Sequence, residues 1–193
     1  MKNIKQLVAV ICLGAASIAN ASVLTFTDRN AWIAAVNGSF NELTFDSAST
    51  PGLSITEIGS GHSSGISDGV YHDRVVRDDS FTTYTFANAV YAVGANWDLT
   101  PGGAGQGLQL FAGSEAITPQ IANSYTGQFF GFVSTNAFTS FSVKAGSDAG
   151  IAETHDVDNL LFAAAVPEPE TYAMLLSGLC AIGLARRRKV KAK

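Results

Sequence analysis

The chain has 193 residues, of which 47% are hydrophobic and 15% charged, with a formal net charge of −4 at neutral pH. That length suits one domain with short flanking segments, enough to bury one core. The acidic balance repels phosphate backbones, so no nucleic-acid partner is expected.

Lys2 and Lys5 give a positive start, Leu7 to Ala16 is apolar and uncharged, and Ala19-Asn20-Ala21 supplies a small-x-small site. This order predicts a secretory signal peptide over 1–21, cut after Ala21 by signal peptidase. Setting aside 1–21 and the segment from 166 leaves an exported body of 144 residues, 22–165. Its cations are Arg29, Arg74, Arg77 and Lys144 against 14 carboxylates, a net of −10. The overall −4 thus hides an acidic body joined to a basic tail. Cys12 and Cys180 both fall outside the body, whose stability must come from burial rather than a disulfide.

Within the body, Phe26 to Gly38 reads as one short helix. Thr27 is placed to cap it, Asp28 lies in its first turn, and Asn37-Gly38 can end it in a left-handed turn. Trp32, Ala35 and Val36 would share its buried face. Asn37-Gly38-Ser39 is also a glycosylation sequon, but the helix stop explains it better. From residue 40 onward, short β-rich runs alternate with Gly, Ser, Asn and Asp turns. The candidate strands are Leu43–Phe45, Ile55–Ile58, Phe81–Phe86, Val90–Trp97, Leu108–Phe111, Gln128–Val133, Phe138–Lys144 and Val157–Phe162. Gly59–Gly69 and Thr100–Gly107 are read as loops. The expected fold is mainly β, an antiparallel β-sandwich of jelly-roll type with one short N-terminal helix; a closed barrel is the alternative topology.

Gly61-His62-Ser63-Ser64-Gly65 matches G-x-S-x-G, the nucleophile elbow of many serine hydrolases, with Ser63 as the nucleophile. That motif works only where a strand turns sharply into a helix, and the residues that follow show no helical face. A hydrolase would need Ser63 within hydrogen-bond reach of His62, His72 or His155, and this is the alternative to a non-enzymatic body. The three histidines make no recognised zinc spacing. Calcium is the better metal candidate, because Glu153, Asp156, Asp158 and Asn159 lie within seven residues and offer hard oxygen ligands for a structural ion. Trp97, Tyr71, Tyr84, Tyr91 and Tyr125 are the aromatics to consider for stacking on sugar rings.

The C-terminus has a definite order: Val166-Pro167-Glu168-Pro169, then Glu170 and an apolar stretch from Thr171 to Ala185, then Arg186-Arg187-Arg188-Lys189. This tripartite signal, over 166–193, resembles that of the PEP-CTERM proteins, exported bacterial proteins processed by the membrane enzyme exosortase. The 15 residues of the apolar stretch would make about 22 Å of helix against a hydrocarbon core of about 30 Å. Such a C-terminal sorting helix suits transient anchoring, with the basic cluster stopping translocation on the cytoplasmic side. The prolines keep the junction extended for cutting. Ser177, Ala181 and Ala185 are spaced for close helix packing, although small residues are common in such segments.

Thr25 to Trp32, Phe129 to Phe132 and Asp156 to Phe162 are similar to segments of β-sandwich members of that class. The resemblance implies export through the inner membrane, sorting to the cell surface or extracellular matrix, and association with extracellular polysaccharide. It carries over no catalytic residue. The expected function is a non-enzymatic, exosortase-sorted surface or biofilm-matrix protein, with glycan binding as its activity.

Overall fold

A helix of eight residues, α1 (Arg29–Val36), is the only helix among the described residues of the computed structural model, which are 22–76, 80–100, 107–146 and 152–164. The signal peptide and the sorting segment, with Ala19, Ala21, Val166–Pro169 and the basic cluster, lie outside them. Asp28 rather than Thr27 caps α1: its Oδ1 accepts from the Ala31 N–H at 2.7 Å, which satisfies one of the orphan donors of the first turn. Asn37 closes the helix at φ 46°, and its N–H donates to the Ile33 carbonyl at 3.2 Å. Trp32 and Val36 are buried as expected, while Ala35 faces solvent, because the short helix rests on a narrow stripe.

Among the described residues ten strands follow or precede it: β1 (Val23–Phe26), β2 (Asn41–Leu43), β3 (Leu53–Ile58), β4 (Ser63–Ser67), β5 (Val70–Val76), β6 (Phe81–Asp98), β7 (Leu108–Ala112), β8 (Glu115–Ile121), β9 (Thr126–Ala145) and β10 (Ala152–Ala164). All pairings are antiparallel. The runs Phe81–Phe86 and Val90–Trp97, read as two strands, are one 18-residue strand; Gln128–Val133 and Phe138–Lys144 merge likewise into the 20 residues of β9. Their pairing slips between Thr85 and Ala92, where both strands bend from one layer into the other.

The two layers follow from that bend. In the first, β4, β5, β10, the second half of β6, the first half of β9 and β1 lie side by side, with β2 also on β10. In the second, β3, the first half of β6, the second half of β9, β7 and β8 follow in order. The result is an antiparallel β-sandwich, not a closed barrel, since β4 and β8 end the hydrogen-bonded path.

Between the layers sits an aromatic core. Tyr84 stacks on Phe141 at 4.5 Å, and Phe86 meets Phe162 at 5.0 Å. Burial of such rings supplies the driving force that a disulfide-free body needs. A second, smaller core lies outside the first layer, where α1 covers Ala92, Phe129, Leu161 and Ala163. Trp32 is its centre, donating Nε1 to the carbonyls of Val93 at 3.1 Å and Phe132 at 3.2 Å. Gly94 and Gly131 beneath it leave the room that the indole fills.

The stretch Gly59–Gly69 is not a loop throughout. Its second half is β4, joined to β5 by Asp68-Gly69 at φ 52° and 77°, a two-residue turn whose twist suits a hairpin. Most of the Thr100–Gly107 stretch lies outside the described residues. Among the described residues no helix is long and apolar enough to cross a membrane.

Candidate functional site

Strand alternation sorts the polar residues of the first layer into two sets, one sealed between the layers and one facing out. On β5, Tyr71, Asp73 and Val75 point inward, while His72 and Arg74 do not. On β10, Glu153, His155 and Val157 are buried, while Thr154, Asp156 and Asp158 are half-exposed. The expected calcium set therefore does not converge. Glu153 is fully buried on one face of its strand, and Asp156 and Asp158 lie on the other. Asn159 turns back on its neighbour, donating its N–H and Nδ2 to the Asp158 carboxylate at 2.6 and 2.7 Å. Among the described residues no group of three or more His, Cys, Asp or Glu side chains is arranged to hold a metal ion.

The inward set forms a closed polar knot. Asp73 Oδ1 accepts from the Arg74 N–H at 2.7 Å and faces His62 Nε2 at 2.8 Å, while Oδ2 accepts from Thr82 Oγ1 at 2.5 Å. Ser80 Oγ meets His62 Nδ1 at 3.1 Å. His155 Nε2 lies 3.5 Å from Asp73 Oδ2, with its ring 5.9 Å from that of Trp97. Burial pushes the His155 pKa down, with Asp73 and Asp156 working against that shift. Burial likewise raises Tyr71 and Tyr84 above the usual phenol range. With the side chains of Asp73 and His155 wholly inaccessible, the knot ties β5, β6 and β10 together and offers no substrate a way in.

The hydrolase arrangement is not assembled. Ser63 sits in β4, opposite Arg74 on β5, with no strand-to-helix elbow. Two of its three candidate bases, His62 and His155, belong to the inward knot. The third, His72, holds Asp156 instead, Nδ1 to Oδ1 at 2.7 Å.

The outward set is open. His72, Asp156 and Asp98 stand in one row across β5, β10 and β6, with Arg74 and Thr154 in a neighbouring row. Asp98 and Asp156, directly opposite each other, are like charges held side by side. Asp98 Oδ1 accepts from the Thr100 N–H at 2.8 Å. Burial raises the Asp158 pKa, with Asp46 and Glu42 adding to the shift. Two depressions meet on this face. One, of about 590 Å³, runs over Ser63, Ser67, His72, Arg74 and Thr154; the other, of about 270 Å³, lies over Asn96, Asp98, Gly127 and Asp158; Asp156 lines both.

The aromatics considered for sugar stacking are elsewhere. Trp97, Tyr71 and Tyr84 fill the core between the layers, where the inward parity of their strands puts them. Tyr91 donates its hydroxyl to the Val36 carbonyl at 2.7 Å, and Tyr125 packs half-buried against the core. The His72–Asp156–Asp98 row was not singled out as a unit in the sequence, although Asp68-Gly69 and the alternation after it would have placed His72 on the open face.

No curated protein matches the chain. Among solved structures it is similar to a variant of CBM29-2, a family 29 carbohydrate-binding module, at 9% identity and TM-score 0.46, covering 68% of this chain and 99% of that one. It is also similar to CBM86, a low-affinity xylan-binding module from Roseburia intestinalis, at 13% identity and TM-score 0.41, covering 66% and 97%. Residues 165–189 match the model of the PEP-CTERM protein-sorting motif, so the chain carries the sorting signal of an exported protein.

Proposed function

We propose that the body is a non-enzymatic surface or matrix protein whose outward polar face binds extracellular polysaccharide. The observation that carries this reading is the pair of depressions that meet at Asp156. They present carboxylates, an imidazole, a guanidinium, amides and hydroxyls on a sheet face that α1 leaves uncovered. Such groups suit the dense hydroxyl donors and acceptors of a glycan, with carboxylates accepting two hydroxyls at once. Recognition here rests on hydrogen bonding, since the large aromatics are spent on the core.

The test is a glycan panel probed with the processed protein purified from its exporting cells. Asp156→Ala or Asp98→Ala should weaken binding by about tenfold each, equivalent to about 1.4 kcal/mol. Uniform absence of binding would refute the glycan reading and leave a structural matrix role. A chelator arm tests calcium at Asp156, Asp158 and Asn159, which Glu153 cannot join.

The sorting signal supports processing by exosortase at Val166–Pro169 after transient anchoring by 171–185, and signal peptidase cleavage after Ala21. A mass measurement on the mature protein decides both steps. Retention of residues 171–193 would exclude C-terminal processing.

A further inference from the structure

The described body begins at Ser22 and ends at Ala164, and both points lie at the same end of the sandwich. Ser22 and Thr135 exchange two bonds, the Ser22 N–H to Thr135 Oγ1 and the Thr135 N–H to the Ser22 carbonyl, each 3.0 Å. Ala164 pairs with Val90, and Val90 pairs with Phe138, three residues beyond Thr135. A depression of about 220 Å³ opens at this end beside Ala164, Asn88, Phe86 and Phe162, and no charged side chain lines it. Glu42, the next residue of β2 after lining Asn41, is neutralised by Arg29 at 2.8 Å. In a body of net charge −10, this end is sparsely charged: besides the Arg29–Glu42 pair, the register brings Glu115 near it, in the turn between β7 and β8.

Before signal peptidase acts, each exit leads within a short reach to an apolar segment, and the C-terminal exit keeps its segment afterwards. Five residues, 17–21, separate Ser22 from the stretch ending at Ala16, and six, 165–170, separate Ala164 from Thr171. Fully extended, those connections span at most about 25 Å. We infer that this end, with Asn88, Ala137 and the 220 Å³ depression, is the face that the body turns to the lipid headgroups of the exporting membrane while it is tethered. The inference rests on the anchoring reading of residues 171–185. Anionic headgroups repel carboxylates, so this sparsely charged end is the one that can approach them, and the acidic faces turn outward. Asp156 lies eight residues up β10 from Ala164, about 25 Å at strand rise. The proposed glycan face is thereby held clear of the bilayer before release.

Cys12 and Cys180 lie outside the body, so single cysteines can report its orientation. In a full-length Cys12→Ser, Cys180→Ser background, Asn88→Cys, Ala137→Cys and Ser124→Cys place thiols at exposed positions, the last in the turn before β9. Membranes are taken from cells lacking the processing enzyme and treated with a charged maleimide, each labelling rate being divided by that of the same variant in detergent. Asn88→Cys and Ala137→Cys should label several-fold more slowly than Ser124→Cys. Equal normalised rates at all three would overturn the inference with the tether intact. A chain found only in the soluble fraction would overturn the anchoring reading itself, and the inference with it.

Discussion

Gly131→Ala should be among the most destabilising single-atom additions to the body. A Cβ at this position would stand 2.8 Å from Trp32 Cδ1 and 2.9 Å from both Gly94 Cα and the Val93 carbonyl oxygen. Two of those three obstacles are backbone atoms of the neighbouring strand, which cannot rotate away. The third is an indole fixed by two hydrogen bonds to backbone carbonyls. Overpacking of this kind costs about 1–3 kcal/mol, and the immobility of the neighbours puts the expectation near the upper end, about 3 kcal/mol. For a body of this size that corresponds to a fall of about 10 °C in Tm. Gly65→Ala is the matched control, because its Cβ would meet nothing within 4 Å. Urea and thermal melts of the two variants against the parent protein measure the difference. If Gly131→Ala unfolds within about 0.5 kcal/mol of Gly65→Ala, the close seat of α1 on the sheet is wrong.

Acidification should weaken the fold through His155. Its folded pKa is lowered, so below the ordinary value of about 6.5 the unfolded chain binds a proton that the native state refuses, and stability falls with pH at up to about 1.4 kcal/mol per unit. The slope ends once pH drops through the folded pKa; melts from pH 7.5 downward should show it, and His155→Gln should flatten it. Thr82→Val keeps the shape but removes the donor to Asp73 Oδ2, and should cost about 1–3 kcal/mol in a denaturant melt. Asp28→Ala removes the cap of α1 and should cost about 1 kcal/mol, whereas Thr27→Ala should cost far less.

Where side-chain period and turn chemistry agreed, the fold was legible. β7, most of β3 and the second half of β10 read directly as runs of β-formers, and the stop of α1 at Asn37 was readable because Asn tolerates the left-handed conformation. The misses have separate causes. Ser63, Ser64 and Gly65 are poor strand formers, and β4 persists because it pairs with the better-patterned β5 across Asp68-Gly69. β6 and β9 were divided at their bends, since Ala87-Asn88 and Asn136-Ala137 look like turn residues although the strands continue through them. In the site, Asp156 and Asp158 were recognised, but His72 and Asp98 reach them only through cross-strand register. A single sequence does not encode that register locally.

The four residues expected as calcium ligands part for a reason that also explains how the face is made. Glu153, Asp156, Asp158 and Asn159 are close in sequence, yet a strand sends alternate residues to opposite sides, so Glu153 joins the core and the others do not. Asn159, at φ 50°, adds one residue where the pairing of β10 with β6 slips between Asp158 and Leu161. Before that bulge the even positions 154, 156 and 158 face out; after it the odd positions 161 and 163 do, and Leu160 and Phe162 turn inward. The outer side of one strand thus changes from polar and open to apolar and covered by α1. Were Asn159 instead part of the regular alternation, Leu161 and Ala163 would keep the inward parity of Val157, and Trp32 would face the side chains of Leu160 and Phe162. The bulge therefore sets the boundary between the proposed glycan face and the helix seat, and it fixes Asp156 on the open side.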